Sequence, residues 1–158
     1  VDIWVITCVS KLSPTLLSVM PSPIINIHGG HLPDYRGCHC YFFALLEERF
    51  EKVGSTIHLV EKGLDTGPII EACRPPIRHD DNAERLYCRG ERMAAERLVE
   101  ILEEYEGGRP IEYAPQAFRG RLILRRQRQF GHDLLFSFRR MTGRLKLPDQ
   151  PGSRPVDY

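Results

Sequence analysis

The sequence lacks any apolar run long enough to cross a membrane, and no signal-peptide pattern stands at its start. Its five cysteines are an odd number, and none of them forms a Cys-x-x-Cys pair. That usage favours reduced thiols over a disulfide framework. The sequence therefore predicts a cytoplasmic protein that makes no membrane contact.

The composition is sufficient for one folded domain, with 158 residues, of which 42% are hydrophobic and 27% charged. The net charge of +1 hides an asymmetry along the chain. Residues 1–118 hold 12 Lys or Arg against 18 Asp or Glu, whereas residues 119–146 hold nine basic residues and one acidic residue. Three prolines follow in residues 147–158. We predict a domain at 1–118, a basic C-terminal extension at 119–146 and a disordered tail at 147–158.

The first thirty residues have the pattern of a strand, a helix and a second strand. Residues 3–9 are apolar on both faces, which is typical of a buried parallel strand. Ser13-Pro14 combines a capping side chain with proline at the first helical position, so a short helix should follow to about Met20. A second apolar strand covers residues 23–28. This β-α-β unit predicts an α/β fold, with a doubly wound, mostly parallel sheet and helices on both faces.

Further elements follow along the chain. The apolar spacing predicts a helix within 38–50, strands at 53–61 and 68–72, and a short strand at 122–124. A long helix should begin near Asn82 and end at Gly107-Gly108, with Tyr105 on its core-facing stripe. A last helix is predicted at 133–142, with an inward face formed by Leu134, Leu135 and Phe138.

The strand at 23–28 carries two polar residues that suggest chemistry. Asn26 and His28 stand two apart, so their side chains share one face of the strand. Gly29-Gly30 marks the end of the strand and allows close approach to the backbone. Open α/β sheets bind ligands at the carboxyl ends of their strands, which makes this strand end a candidate site.

Residues 24–37 contain Asn-x-His followed by Leu-Pro-Asp-Tyr-Arg-Gly at 32–37, and Gly63-Leu64-Asp65-Thr66-Gly67 follows later. These three separated pieces, in this order, resemble the folate-dependent formyltransferase family, which includes glycinamide ribonucleotide, methionyl-tRNA and sugar-nucleotide formyltransferases. The resemblance covers roughly residues 1–77 and departs from the family pattern at Gly29-Gly30-His31. It implies a formyltransferase-like fold that is N-terminally incomplete. The strand at 3–9 would then be an apolar edge, and we expect self-association through residues 1–9.

The resemblance implies transfer of a formyl group from 10-formyltetrahydrofolate to an amine of a small-molecule acceptor, such as a nucleotide, a sugar nucleotide or an amino acid derivative. Formyl transfer to an amine passes through a tetrahedral intermediate that carries an oxyanion, and it requires proton transfer. The resemblance assigns Asn26 and His28 to the oxyanion. It assigns Asp65 to proton transfer and to the orientation of His28.

The family's folate site is formed by the main chain of two loops. The matching positions here are Val9, Ser10, Lys11 and Leu12 in the first loop, and Glu61, Lys62, Gly63 and Leu64 in the second. Four further residues are predicted to contact the acceptor or to wall its site: His31, Arg36, His39 and His58. Arg36 could instead tie loop carbonyls together, and His58 could point into the core.

Other interpretations of the sequence remain open. The same site with water as acceptor would be a formyltetrahydrofolate hydrolase, and a site without activity would be a folate-binding or assembly module. Zinc binding by Cys38, His39, Cys40 and His31 is disfavoured because their spacing matches no standard ligand pair. The basic segment at 119–146 has few interleaved aromatics, which favours a solvated or partner-docking face over nucleic-acid binding.

Overall fold

The structure is a computed structural model that describes residues 3–7, 11–20 and 23–153. Its ten main elements are, in chain order, β1 (Trp4–Thr7), α1 (Pro14–Val19), β2 (Ile24–His28), β3 (Tyr35–Gly37), α2 (Cys40–Leu46), β4 (Ser55–Leu59), β5 (Ile69–Cys73), α3 (Ala83–Glu106), β6 (Arg121–Ile123) and α4 (Phe130–Met141). Short 3-10 turns lie at Phe50–Lys52 and Arg125–Gln127. No helix within the described ranges is long and apolar enough to span a membrane.

The main sheet has the strand order β1-β2-β4-β5. β1 and β2 pair in parallel, which confirms the α/β class and the predicted β-α-β unit. β4 pairs antiparallel with both β2 and β5, so the sheet is mixed and the prediction of a mostly parallel sheet is wrong. The connection from β4 to β5 covers only residues 60–68, which is too short for the crossover that a parallel pair requires.

The long helix α3 covers one face of this sheet. Asn82 caps it by accepting a hydrogen bond from the Arg85 N–H at 2.8 Å, and Gly107 ends it as predicted. Its apolar stripe packs on an isoleucine cluster of β2 and β4, formed by Ile25, Ile27 and Ile57. Tyr105, which was predicted to lie on that stripe, is exposed because the last turn of the helix extends past the core.

The helix α2 is the most deeply buried element of the structure. All seven of its residues are buried, because they pack against α3, the turn at Val53 and the C-terminal segment. The Gly90 position of α3 lies so close to α2 that an added Cβ would fall 1.8 Å from the Tyr41 hydroxyl. The neighbourhood of Gly90 is therefore closed to any larger side chain.

The C-terminal segment is part of the fold. β6 pairs in parallel with β3 to form a second, two-stranded sheet. Leu145 and Leu147 are almost fully buried, and Gln150 and Ser153 form bridges with Ile77 and Arg74. The disordered tail predicted for 147–158 is therefore wrong for residues 147–153, while residues 154–158 lie outside the described ranges. The domain boundary predicted at residue 118 stays a prediction.

The orientation of α4 differs from the prediction. Leu134, Leu135 and Phe138 are 55%, 47% and 51% exposed, although all three were expected to face the core. Phe136 packs against the core instead, with its ring centroid 5.4 Å from that of Phe42. The side of α4 that faces the protein also uses arginine, since Arg139 donates to the Leu46 carbonyl at 2.9 Å. The apolar periodicity of residues 133–142 therefore predicted the wrong face of α4 as the buried one.

Candidate active site

The pairing of β2 with β4 brings the polar residues of two strands to one face of the sheet. Asn26 stands directly opposite His58, and His28 stands opposite Thr56. The alternate residues of both strands point to the α3 side, because they supply the isoleucine cluster described above. Asn26, His28 and His58 therefore share the face that α3 leaves uncovered.

Asp65 lies on the connection between β4 and β5 and adopts a left-handed conformation, with φ of 52°. Its Oδ2 atom is 3.5 Å from His28 Nδ1 and accepts a hydrogen bond from the Gly37 N–H at 2.8 Å. Its Oδ1 atom is 3.9 Å from His58 Nε2. The carboxylate thus stands between two imidazole rings, and it contacts the backbone at the end of β3.

The hydrogen bonds of His58 define its protonation. Nδ1 lies 2.7 Å from the Leu59 carbonyl, which can only accept, so Nδ1 carries the proton. Nε2 then accepts a hydrogen bond from the Asn26 amide nitrogen at 3.0 Å. Burial, together with the neighbouring His28, lowers the pKa of His58 to about 4. A neutral His58 therefore fixes the orientation of the Asn26 amide and leaves its second N–H available.

His28 is buried behind the carboxylate. Its Nε2 atom is 3.0 Å from the Tyr35 carbonyl and therefore donates to it, while Cys40 Sγ lies 3.7 Å away. This bond leaves Nδ1 to face Asp65. Both ring nitrogens of His28 thus face protein groups, and His28 is placed beside Asp65 to hold the position of its carboxylate.

A cleft opens at Asn26, His58 and Asp65. The residues that line the rest of it are Ile6, Lys11, Leu12, Val60, Glu61, Gly63 and Leu64. Two segments separated by about fifty residues of sequence therefore meet, and five of the eight predicted folate-loop residues form the walls. Lys62 is exposed and is not part of the lining, and Val9 and Ser10 lie outside the described residues.

The loop that carries Asp65 is held by a residue that sequence reasoning missed. The Gln116 side-chain amide donates to the carbonyls of Asp65 and Gly67, at 3.0 and 2.8 Å. The loop is also tight, because a Cβ at Gly67 would fall 1.8 Å from the Leu59 carbonyl oxygen. No local signal could have identified Gln116, since it stands 51 residues from Asp65.

The other predicted acceptor residues lie away from the cleft. His31 is buried, with Nδ1 3.5 Å from Asp34, and burial beside Lys52 lowers its pKa to about 4. Arg36 donates twice to the Gly120 carbonyl, so it ties two loops together. His39 caps α2 in a left-handed conformation, and burial and Arg128 lower its pKa. Of the four residues predicted to contact the acceptor, His58 alone lines the cleft.

Comparison with known proteins identifies related sequences. The family model described as "Formyl transferase" matches residues 1–102. The methionyl-tRNA formyltransferase of Anaeromyxobacter sp. (strain K) is 33% identical over 136 residues, which are 85% of this chain and 43% of that protein. The formyltetrahydrofolate deformylase of Bacillus subtilis (strain 168) is 43% identical over 75 residues, which are 48% of this chain and 25% of that protein. The chain thus spans less than half the length of either relative.

A solved structure has the same fold. It is the formyltransferase PseJ from Anoxybacillus kamchatkensis, in complex with UDP-4,6-dideoxy-4-formamido-L-AltNAc and tetrahydrofolate. The TM-score is 0.68 at 24% identity, over 80% of this chain and 66% of that chain. At this identity the likeness concerns the fold alone, whereas the family model covers well over half of the chain. The chain belongs to the formyl transferase family.

Proposed function

We propose that this chain is the catalytic part of an enzyme that transfers a formyl group from 10-formyltetrahydrofolate to an amine of a small-molecule acceptor. The observation that carries the proposal is the convergence of Asn26, His58 and Asp65 at one end of a two-walled cleft. An amide donor and a carboxylate side by side are the two groups that acyl transfer to nitrogen requires.

Each group has a role that follows from its hydrogen bonds. The amine nitrogen attacks the formyl carbon, and the bond from that carbon to the donor nitrogen then breaks. Asn26 donates its second amide N–H to the formyl oxygen as negative charge develops there, while His58 holds the amide in place. Asp65 accepts the proton that the amine loses and returns it to the departing nitrogen. His28, which the resemblance assigned to the oxyanion, instead holds the carboxylate for that exchange, because both of its ring nitrogens face protein groups.

The donor would bind along the walls of the cleft. Lys11 and Leu12 form one wall, and Val60, Glu61, Gly63 and Leu64 form the other. The apolar side chains of Leu12, Val60 and Leu64 suit a flat ring, while Lys11, Glu61 and the loop main chain offer polar groups to its edge. The bound formyl group would then lie toward Asn26 and Asp65.

The named relatives act on different acceptors, and the chain spans only part of their length. We propose an amine on a nucleotide, a sugar nucleotide or an amino acid derivative. A deformylase is the second candidate, because the local identity to the Bacillus subtilis enzyme reaches 43% over 75 residues.

The test measures donor binding and turnover separately. The chain is incubated with 10-formyltetrahydrofolate and a panel of amines, and tetrahydrofolate release and formylated product are quantified. Asp65→Asn should lower turnover ~10²–10⁴-fold, the usual range for an acid–base group. Asn26→Asp should lower it ~10²–10³-fold, the usual range for an oxyanion donor. The exposed Asp80→Asn, which makes the same chemical change on the surface, is the matched control and should be unaffected.

The outcomes separate the candidate functions. Tetrahydrofolate release that requires an amine supports the transferase, and release at the same rate without amine shows the deformylase. Donor binding without release in any mixture shows a binding module. Parental turnover in a folded Asp65→Asn variant would contradict the role of the carboxylate.

A further inference from the structure

A second cavity lies between α2 and the C-terminal segment, outside the catalytic cleft. Its volume is about 430 Å³, and it is lined by Phe43, Arg121, Arg126, Gln127, Gln129 and His132. It shares no lining residue with the cleft at Asp65. Nothing in the chemistry described above uses it.

Internal hydrogen bonds occupy acceptor atoms on two of the residues that line this cavity, Gln127 and His132. The Leu124 N–H donates to the Gln127 side-chain oxygen, so the amide NH₂ of Gln127 remains for a ligand. The Gln129 N–H donates to His132 Nδ1 at 3.1 Å, so a neutral His132 carries its proton on Nε2. Both acceptor atoms are thus occupied by the protein itself.

The cavity is also positively charged. Arg126 forms no ion pair with any residue in the described ranges. Arg121 pairs with Glu47 and lies over the Phe43 ring, 5.0 Å from its centroid. Asp133, in the first turn of α4, forms its ion pair with Arg128 and none with Arg126.

We propose that this cavity binds the phosphate group of a small phosphorylated ligand. The Arg126 guanidinium, the Gln127 amide NH₂ and the His132 Nε2–H are donors in one concave site, and they match the several acceptor oxygens of a phosphate. The twelve-residue helix α4 begins at the edge of the cavity, and its N-terminal dipole favours an anion at the same place. This inference stands on the cavity alone and does not depend on formyl transfer.

The test compares two arginines that are neighbours in sequence. Binding of inorganic phosphate, pyrophosphate and a nucleoside diphosphate is measured by calorimetry in a buffer free of sulfate and phosphate. Arg126→Gln should weaken pyrophosphate binding at least tenfold. Arg125→Gln makes the same change of charge one position away, outside the cavity lining, and should weaken binding less than twofold. Circular dichroism confirms that both variants fold.

Each outcome decides the proposal. Equal affinity for phosphate and the nucleoside diphosphate indicates a free-phosphate site, and a much tighter diphosphate indicates that the attached group contributes; both support it. Equal losses in the two variants would show general attraction to the basic segment and would overturn it. Absence of binding by all three probes would also overturn it.

Discussion

Acidification should destabilise this protein through two buried histidines, His31 and His58. Burial lowers the pKa of each from 6.5 to about 4 in the folded state, with further lowering by Lys52 at His31 and by His28 at His58. Between pH 4 and 6.5 the unfolded chain therefore binds more protons than the folded chain. The stabilisation is fully present above pH 6.5, decreases as the pH falls through this window, and is lost below pH 4.

The size of the effect follows from the displaced pKa of His31. A shift from 6.5 to about 4 corresponds to about 3 kcal/mol of folding free energy, with a slope of about 1.4 kcal/mol per pH unit inside the window. His58 acts in the same direction. About 3 kcal/mol from His31 alone is a large part of a typical free energy of unfolding of roughly 5–15 kcal/mol. Glu91 has the opposite effect on the pH dependence of stability, because burial raises its pKa. It is present in the parent and in the variants alike, so it does not affect their comparison.

Urea denaturation from pH 4.5 to 7.5 measures this dependence. We expect the free energy of unfolding of the parent to fall as the pH is lowered. His31→Gln and His58→Gln, which cannot titrate, should each give a flatter profile than the parent. A constant offset between parent and variant reports lost packing and is separable from the slope. Parallel profiles for the parent and His31→Gln would refute the reasoning.

Three further predictions concern the fold. Gly37→Ala should destabilise the protein by at least about 3 kcal/mol in thermal or urea unfolding, because at φ of 90° its Cβ would fall 2.1 Å from the Ile123 carbonyl oxygen. Gly108→Ala is the control: its φ is 92° but nothing lies within 4 Å of the added Cβ, so it should cost only about 1 kcal/mol. Equal costs for the two variants would contradict the steric argument. Removing residues 145–153 should lower stability by about 3 kcal/mol or more, since two buried leucines are lost; an unchanged melting temperature would argue against this. Val5→Lys on the exposed edge strand should reduce self-association in size-exclusion chromatography, and a monomeric parent would contradict the predicted association.

Local patterns in the sequence predicted the elements whose signals are local. The capped start and glycine end of α3, and the shared face of Asn26 and His28, follow from spacing and from capping chemistry, and the structure has both. The antiparallel direction of β4 relative to β2 was not predictable in this way. The two strands are separated by a connection that contains both a strand and a helix, and apolar runs do not encode direction.

The missed features depend on contacts between distant residues. Gln116 reaches Asp65 across 51 residues, and β6 reaches β3 across more than eighty. In α4 the apolar stripe indicated the wrong side, because the inward side uses Phe136 together with arginine bonds to backbone carbonyls. The acceptor role expected for His39 came from a family position, and that of His31 from its place beside the motif. The cleft lining includes neither of them.

The catalytic residues on β2 and the one on the connection between β4 and β5 need different motions of the backbone to leave their positions. Asn26 and His28 lie on β2, which is hydrogen-bonded to a strand on each side, so freeing them requires unfolding of the main sheet. Asp65 lies on a connecting loop that Gln116 and the Gly37 N–H fasten with three hydrogen bonds. We expect amide hydrogen exchange at residues 25–28 to approach the global unfolding limit, and exchange at residues 61–67 to proceed through local opening. The carboxylate can then leave and return while the amide stays in place, so a ligand could enter the cleft without unfolding the sheet.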